Sequence, residues 1–228
     1  MNPSAQAFIE RLQRGDIRYM EDAQPDGSHY VAVEVAGKSG KLYNIAMVFS
    51  ADGAEFEVTN TTKTPSGLFL HTGRQRRGTL HLGQTVEARV DGVRRAAIAR
   101  NHTAAHLTQA ALRAVLGTHV QQAGQLVDAH RMRFDFTHFS AMTPEELRGV
   151  EQQVNDAILA GIALDVREMP IDEARALGAM ALFGEKYGEV VRVVRAGDVS
   201  TELCGGTHVT NTAQIGCFKI LSESSVAA

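Results

Sequence analysis

Two pairs of residues in this 228-residue chain have the types and spacing of metal ligands. His102 and His106 are four residues apart in NHTAAH, and residues four apart on a helix share one face. Cys204 and His208 have the same spacing in CGGTH, where the two glycines permit a tight turn. Imidazole nitrogen and thiolate sulfur suit zinc better than magnesium or calcium. If the fold brings the two pairs together, they predict one Zn²⁺ site with four protein ligands.

The same residues admit other interpretations. Nine histidines make a chance four-residue spacing common, and a single cysteine is most often a small buried apolar residue. Cys204 and His208 could also form a nucleophile and its base, although the helical histidines would then have no role. A zinc protease is disfavoured, because its motif has a glutamate after the first histidine and this chain has Thr103 there.

The elements that must position these residues change in type along the chain. Ser4 is predicted to cap a short helix that ends at Gly15. Between Ser28 and Val90 the pattern has period two with Gly and Pro interruptions, which is typical of an antiparallel β unit that can close into a small barrel. HYVAVEVA and KLYNIAMVF predict a hairpin around GKSG, and further strands are predicted at EFEVTN, GLFLHT and TVEARVD.

Helices are predicted from about Ala96 onwards. Asn101 is expected to cap a helix that carries the two histidines and ends before Gly117. In TPEE, Thr143 and Glu146 are expected to form a capping box at the start of a second helix. A short helix is predicted at DEARAL, and strands at THVQQAGQLV, RMRFDFTHF, LDVREM, EVVRVVR and QIGCFKIL.

These elements are interspersed without strict βαβ order, so they predict an α+β fold. We expect two domains. Residues 1–95 would hold the N-terminal helix and the β unit, and residues 96–228 would be the zinc-binding domain, with helices packed on a mostly antiparallel sheet.

Composition excludes several classes of protein. No long uncharged apolar run and no signal-peptide layout is found, so no membrane association is expected. Two cysteines cannot form a disulfide scaffold, which favours the reducing cytoplasm. A formal net charge of -3 argues against a broad electrostatic grip on nucleic acid, although GRQRRG is a local basic stretch.

From Arg94 to Ala228 the chain closely resembles the editing domain of bacterial alanyl-tRNA synthetases. It also resembles the core of freestanding AlaX trans-editing proteins and, more distantly, the editing domain of threonyl-tRNA synthetase. The resemblance rests on ARNHTAAHLTQAALRAVLGTHVQQAGQLV, RFDFTHF, TPEELRGVE, GAMALFGEKYGE and STELCGGTHV. The GGQ motif of the family is absent from the β unit, and no aminoacylation domain precedes the editing core, so the chain is not expected to charge tRNA.

The resemblance implies zinc-dependent hydrolysis of tRNA(Ala) mischarged with Ser or Gly. The implied zinc ligands are His102, His106, Cys204 and His208. By the same resemblance, Gln122 would lie near the editing pocket and Thr103 would contact the serine hydroxyl. Lys186 and Asp198 fall in matching motifs without a role. His119, His138 and Cys217 are expected to be structural, with Cys217 in the core.

A non-catalytic function also fits the residues. In that alternative, zinc is a structural element and the domain only holds the acceptor end of the tRNA. Turnover of seryl-tRNA would distinguish the enzyme from the binding module, and metal content would distinguish both from a metal-free cysteine hydrolase.

Overall fold

The computed structural model describes residues 29–32, 47–63, 69–81, 84–180 and 187–225. Contacts group the chain into two compact units, Met1–Arg95 and Ala96–Ala228. That each unit acts as a separate domain stays a prediction. The helix predicted from Ser4 and the turn GKSG lie outside the described residues.

The first unit contains one antiparallel sheet with the strand order β1-β4-β3-β2-β5. Its strands are β1 (His29–Ala32), β2 (Met47–Ala51), β3 (Ala54–Lys63), β4 (Phe69–Arg77) and β5 (Glu87–Val90). Along β3 the buried apolar side chains are Ala54, Phe56 and Val58, and they form a small core with Leu80. This period-two burial is what the sequence pattern predicted.

The pairing of these strands differs from the prediction. The described parts of the two runs expected to form a hairpin do not pair with each other, because β1 pairs with β4 and β2 pairs with β3 and β5. The observed hairpin joins β2 to β3 through Asp52 and Gly53, which both have positive φ, as tight hairpin turns require. Within the described residues the sheet is open, with β1 and β5 at its edges, and no barrel closes.

The helix that carries the histidines is longer than predicted. This helix, α1, extends over Gly92–Leu116. Its cap is Asp91, whose carboxylate accepts the backbone N–H of Arg94 at 2.9 Å. The predicted cap, Asn101, lies inside α1 and donates its side-chain amide to the backbone oxygen of Asp128. The predicted end is confirmed, since Gly117 follows with φ +116°.

The second helix, α2, covers Pro144–Leu159 and starts with the predicted capping box of Thr143 and Glu146. Its buried stripe packs against α1, and the resulting core is formed by Leu107, Ala111, Leu112, Val120, Met142, Val150, Val154, Ala157, Ile158 and Ala196. Leu107 packs in this core, so the core sets how α1 is rotated about its axis. His106 is the residue before Leu107.

Two small antiparallel sheets complete the second unit. One has the order β10-β9-β8, and the other pairs β6 with β7. The elements are β6 (Gln122–Val127), β7 (Met132–Phe136), β8 (Leu164–Pro170), α3 (Ile171–Ala176), β9 (Val190–Ala196), β10 (Ser200–Leu203) and a 3-10 helix (Thr212–Ile215). The predicted α+β class is confirmed. Among the described residues, no helix is both long and apolar enough to cross a bilayer.

The strand predicted at QIGCFKIL is wrong. The segment begins in the 3-10 helix and continues without regular structure. Its backbone bonds to side chains of α2 instead of to a strand: Phe218 exchanges two hydrogen bonds with Asn155, and Ile220 donates to Glu151. Cys217, expected in the core, is exposed.

Candidate metal centre

The fold brings both predicted pairs of ligands to one place. The ligand atoms of His102, His106, Cys204 and His208 all lie within 4.8 Å of one another. The sulfur of Cys204 is 3.5 Å from Nε2 of His102 and 3.3 Å from Nε2 of His208. His102 and Cys204 are 102 residues apart in sequence, so only the tertiary fold could create this contact.

The three imidazoles also lie close to one another. The ring centroids of His102 and His208 are 4.3 Å apart, and those of His106 and His208 are 4.5 Å apart. His102 and His106 are 5.3 Å apart with perpendicular planes, as expected for side chains one helical turn apart. The cluster thus offers nitrogen and sulfur donors that converge.

The loop after β10 is shaped to admit the ring of His102. A Cβ atom on Gly206 would lie 1.9 Å from Cε1 of His102, so no other residue fits there without displacing the ring. Arg192 on β9 stabilises the same loop, because its Nη1 donates to the backbone oxygens of Cys204 at 2.7 Å and Gly206 at 2.8 Å. The Cys204 amide in turn donates to the Arg192 backbone oxygen.

Thr103 connects α1 to this loop from inside the protein. It is 1% exposed, and its hydroxyl oxygen lies 3.2 Å from Nδ1 of His208. The same oxygen accepts the backbone N–H of Val209 at 3.2 Å. When Nδ1 of His208 carries the proton, Nε2 presents its lone pair towards Cys204.

Glu202 occupies the corresponding position behind His106. Its carboxyl group lies 3.5 Å from Nδ1 of His106 and accepts the hydroxyl of Ser200 at 2.9 Å. Burial raises the pKa of Glu202 to about 7, and burial lowers the pKa of His106 to about 3. The contact therefore joins a neutral imidazole to a carboxyl group that titrates near neutrality, and it leaves Nε2 of His106 available.

The donor set fits zinc. Burial is the main cause that lowers the pKa of His102 and of His208, so the imidazoles are neutral, as metal ligands must be. One sulfur and three imidazole nitrogens match a tetrahedral zinc site of the Cys-His₃ type. Because Gly206 has no side chain, the ring of His102 fits beside it, so the loop is shaped to accommodate these four residues.

The remaining predicted residues lie at different places. Gln122 is the half-buried first residue of β6, and its side chain makes no hydrogen bond within the described residues. Asp198 is exposed and pairs with Arg195. Lys186 lies outside the described residues. His119 is exposed, His138 is half-buried, and the two contact each other.

Sequence reasoning missed Glu202, Arg192 and Ser200. Glu202 and Ser200 belong to the motif STELCGGTH, so proximity to Cys204 was a usable signal. Arg192 carried no such signal, since it reaches the site by the pairing of β9 with β10.

A family model matches one part of the chain. Residues 191–228, which include most of β9, all of β10 and the cysteine–histidine loop, match the family model described as "Threonyl and Alanyl tRNA synthetase second additional domain". This segment supplies two of the four clustered ligands, Cys204 and His208.

The similar curated proteins are alanine–tRNA ligases. The chain is 60% identical to an alanine–tRNA ligase of Acetivibrio thermocellus over 79% of this chain and 21% of that protein. It is 53% identical to the ligase of Pelotomaculum thermopropionicum over 85% of this chain and 22% of that protein, and 46% identical to that of Geobacillus kaustophilus over 93% and 24%. The resemblance to an alanyl-tRNA synthetase editing region is confirmed. The chain spans only about a fifth to a quarter of the length of these curated relatives.

Proposed function

We propose that this chain hydrolyses tRNA(Ala) mischarged with serine or glycine at a zinc site in its second unit. The observation that carries the proposal is the convergence of His102, His106, Cys204 and His208 in a region similar to alanine–tRNA ligases. Its partner would be the aminoacylated acceptor end of tRNA(Ala), and its place of action the cytoplasm.

The need for such an activity follows from binding energetics. A pocket built for alanine rejects serine weakly, because an added hydroxyl on a near-isosteric side chain changes binding by only about 1–3 kcal/mol. A second site can require the hydroxyl instead, because its buried polar groups stay unpaired when alanine occupies it. A separate hydrolytic site thus corrects errors that the first site cannot prevent.

The four clustered residues would hold the zinc ion. When bound, zinc supplies a positive charge that orients the ester and polarises its carbonyl. Thr103 would keep Nδ1 of His208 protonated, and Glu202 would orient His106, so the remaining nitrogens stay directed at the ion.

Two residues are proposed to act nearer to the substrate. Gln122 would contribute its unpaired amide to the pocket. Thr103 was predicted to contact the serine hydroxyl. Since its oxygen already contacts His208 and Val209, we also propose that it positions His208.

One observation favours the binding-module alternative. Four protein ligands fill a tetrahedral shell, and closed shells are typical of structural zinc, whereas catalytic zinc keeps one position for water. In that case the ion would stabilise the loop after β10, and the unit would bind the acceptor end without hydrolysis.

The metal-free cysteine hydrolase is less favoured. Cys204 and His208 are within reach of each other at 3.3 Å. However, burial lowers the pKa of His208 far below neutrality, and a general base works best with a pKa near the working pH. The imidazole of His102, 3.5 Å from the same sulfur, is also left unexplained.

The decisive experiment compares three substrates on one preparation. Seryl-, glycyl- and alanyl-tRNA(Ala) are each incubated with the chain, and bound zinc is measured on the same sample. We expect seryl-tRNA to be hydrolysed at least about fivefold faster than alanyl-tRNA, since alanine leaves a buried polar group unpaired. The hydroxyl argument does not extend to glycine, so faster cleavage of glycyl-tRNA than of alanyl-tRNA is expected from the family resemblance alone.

Two cysteine variants complete the test. Cys204→Ala should lose both zinc and turnover, while Cys217→Ala should keep both, because Cys217 is exposed and outside the cluster. Equal cleavage of all three substrates would contradict editing. Zinc retention without any turnover would support the binding module, and full activity in a zinc-free sample would support the cysteine hydrolase.

A further inference from the structure

Three aromatic rings, His119, His138 and Phe139, form a second cluster, here called the ring platform. The rings of His119 and Phe139 stack with centroids 4.6 Å apart and planes 21° apart. Those of His119 and His138 are 5.2 Å apart at 24°. Phe139 is 87% exposed, so its ring presents a broad aromatic face to solvent. Exposing a phenylalanine to this extent forgoes the stabilisation that burial of its ring would contribute.

The ring platform is held in place by its backbone. Gly117 ends α1 with φ +116°, and Val120, which is completely buried, anchors the chain on the other side of His119. The amide of Thr137 donates to the backbone oxygen of Gln121 at 3.0 Å, which fixes the chain beside His138. A hydrogen bond of 2.9 Å joins Nε2 of His119 to Nδ1 of His138. Such preorganisation lowers the entropy cost of binding a ligand.

Arg113 bonds to the backbone on both sides of His119. Nη1 of Arg113 donates to the backbone oxygens of Thr118 at 2.7 Å and Val120 at 2.8 Å, the two residues that flank His119. An arginine beside stacked aromatic rings is the combination that recognises a nucleobase together with a backbone phosphate.

The ring platform also lies at the end of the β6–β7 pair that carries Gln122. Gln122, the first residue of β6, pairs with Phe136, the last residue of β7. His119 precedes β6 and His138 follows β7, so both project from that same end of the pair. The rings therefore share one end of this small sheet with the residue proposed to contact the substrate.

We infer that the ring platform stacks an unpaired nucleobase of the substrate RNA, with the positive charge of Arg113 attracting the adjacent phosphate. This rests on the proposed function, in which the single-stranded 3′ end of a tRNA reaches the second unit. Because every base has a π face, the platform would bind the strand with little sequence preference. It would secure the strand while leaving recognition of the amino acid to the other residues.

The test measures binding without hydrolysis. The full chain is titrated into an unacylated RNA hairpin whose 3′ end has four unpaired nucleotides, one of them 2-aminopurine. Stacking on the platform should quench the fluorescence. Phe139→Ala should weaken the affinity at least about fivefold, and Phe139→Tyr should retain it, since one base–aromatic stack has this effect or more. Leu159→Ala, which truncates another exposed apolar side chain, should bind like the wild type.

Each remaining outcome is informative. Absence of quenching, or equal affinity of Phe139→Ala and wild type at equal thermal stability, would overturn the inference. A change in oligomeric state with unchanged RNA affinity would also overturn it and identify a protein interface. Quenching by a chain that never deacylates seryl-tRNA would refute the proposed function but support base stacking on the ring platform. In an active chain, Phe139→Ala should raise KM and leave kcat unchanged.

Discussion

The buried hydroxyl of Thr103 can orient His208, a candidate metal ligand, by contacting the far side of its ring. It contacts Nδ1 of His208 and also accepts the Val209 amide, so it ties the ring to the backbone that follows it. Partners behind metal-bound histidines fix the tautomer and direction of the ring, and their removal typically weakens metal binding about 10- to 100-fold. The side chain of Thr103 therefore belongs to the candidate centre even without touching an ion.

Thr103→Val should test this role. We expect zinc affinity, measured by competition with a chromophoric chelator, to fall about 10- to 100-fold. The apoprotein should also lose about 1–3 kcal/mol in free energy of unfolding, because the buried Val209 amide loses its acceptor.

Two matched variants control this prediction. Thr103→Ser keeps the oxygen and should restore most of the zinc affinity. Thr108→Val makes the same replacement on the same helix. Within the described residues the hydroxyl of Thr108 bonds to the backbone oxygen of Ala104 and to no group of the cluster, so zinc affinity should be unchanged. Equal zinc affinity for Thr103→Val and Thr108→Val would show that Thr103 has no positioning role.

At the scale of elements, strand β9 supports the cysteine–histidine loop. Arg192 projects from β9 and holds two carbonyl groups of the loop, while its own backbone accepts the Cys204 amide. Arg195, three residues along the same strand, instead bonds to the exposed turn at Gly197 and Asp198. The two arginines thus allow a comparison within one strand.

We expect Arg192→Met to lower the free energy of unfolding of the zinc-free protein by about 1.5–3 kcal/mol, because two loop carbonyls lose a charged donor. Arg195→Met should cost less than about 1 kcal/mol, since exposed ion pairs contribute little. Urea unfolding measures both values. A chelator is present so that no bound cation can repel Arg192 and affect the result. Similar losses in the two variants would contradict a specific support of the loop by Arg192.

At the scale of the whole molecule, the candidate centre joins distant parts of the chain. His102 and His106 lie on α1, and Cys204 and His208 follow β10. An ion bound by all four would act as a crosslink that exists only in the folded state. A ligand that binds only the folded state stabilises it by about 4 kcal/mol when its concentration is a thousand times its dissociation constant.

Zinc removal should therefore lower the Tm by on the order of 10 °C, as followed by circular dichroism before and after dialysis against a chelator. Added zinc should restore the Tm, whereas magnesium should not, because it prefers oxygen ligands. Cys204→Ala should show no zinc-dependent shift. An identical Tm for the zinc-loaded and zinc-free wild type would argue that no ion links the two pairs.

The sequence by itself determined what depends on residues close to each other along the chain. The spacing of His102 and His106 placed both imidazoles on one helical face, and Thr143 with Glu146 marked the start of α2. Local patterns succeed here because the interactions that they predict are themselves local.

Other features were decided only by the tertiary structure. Asp91 and Asn101 are both good capping residues, and only the structure shows that Asp91 caps α1 while Asn101 bonds to the backbone of Asp128. Period two identified strands in the first unit but not their order, because alternation records which face is buried and not which strand lies beside it. The partners behind the ligands, Thr103, Glu202 and Arg192, became visible only where the chain returns to the same place, since long-range contacts have no fixed spacing in sequence.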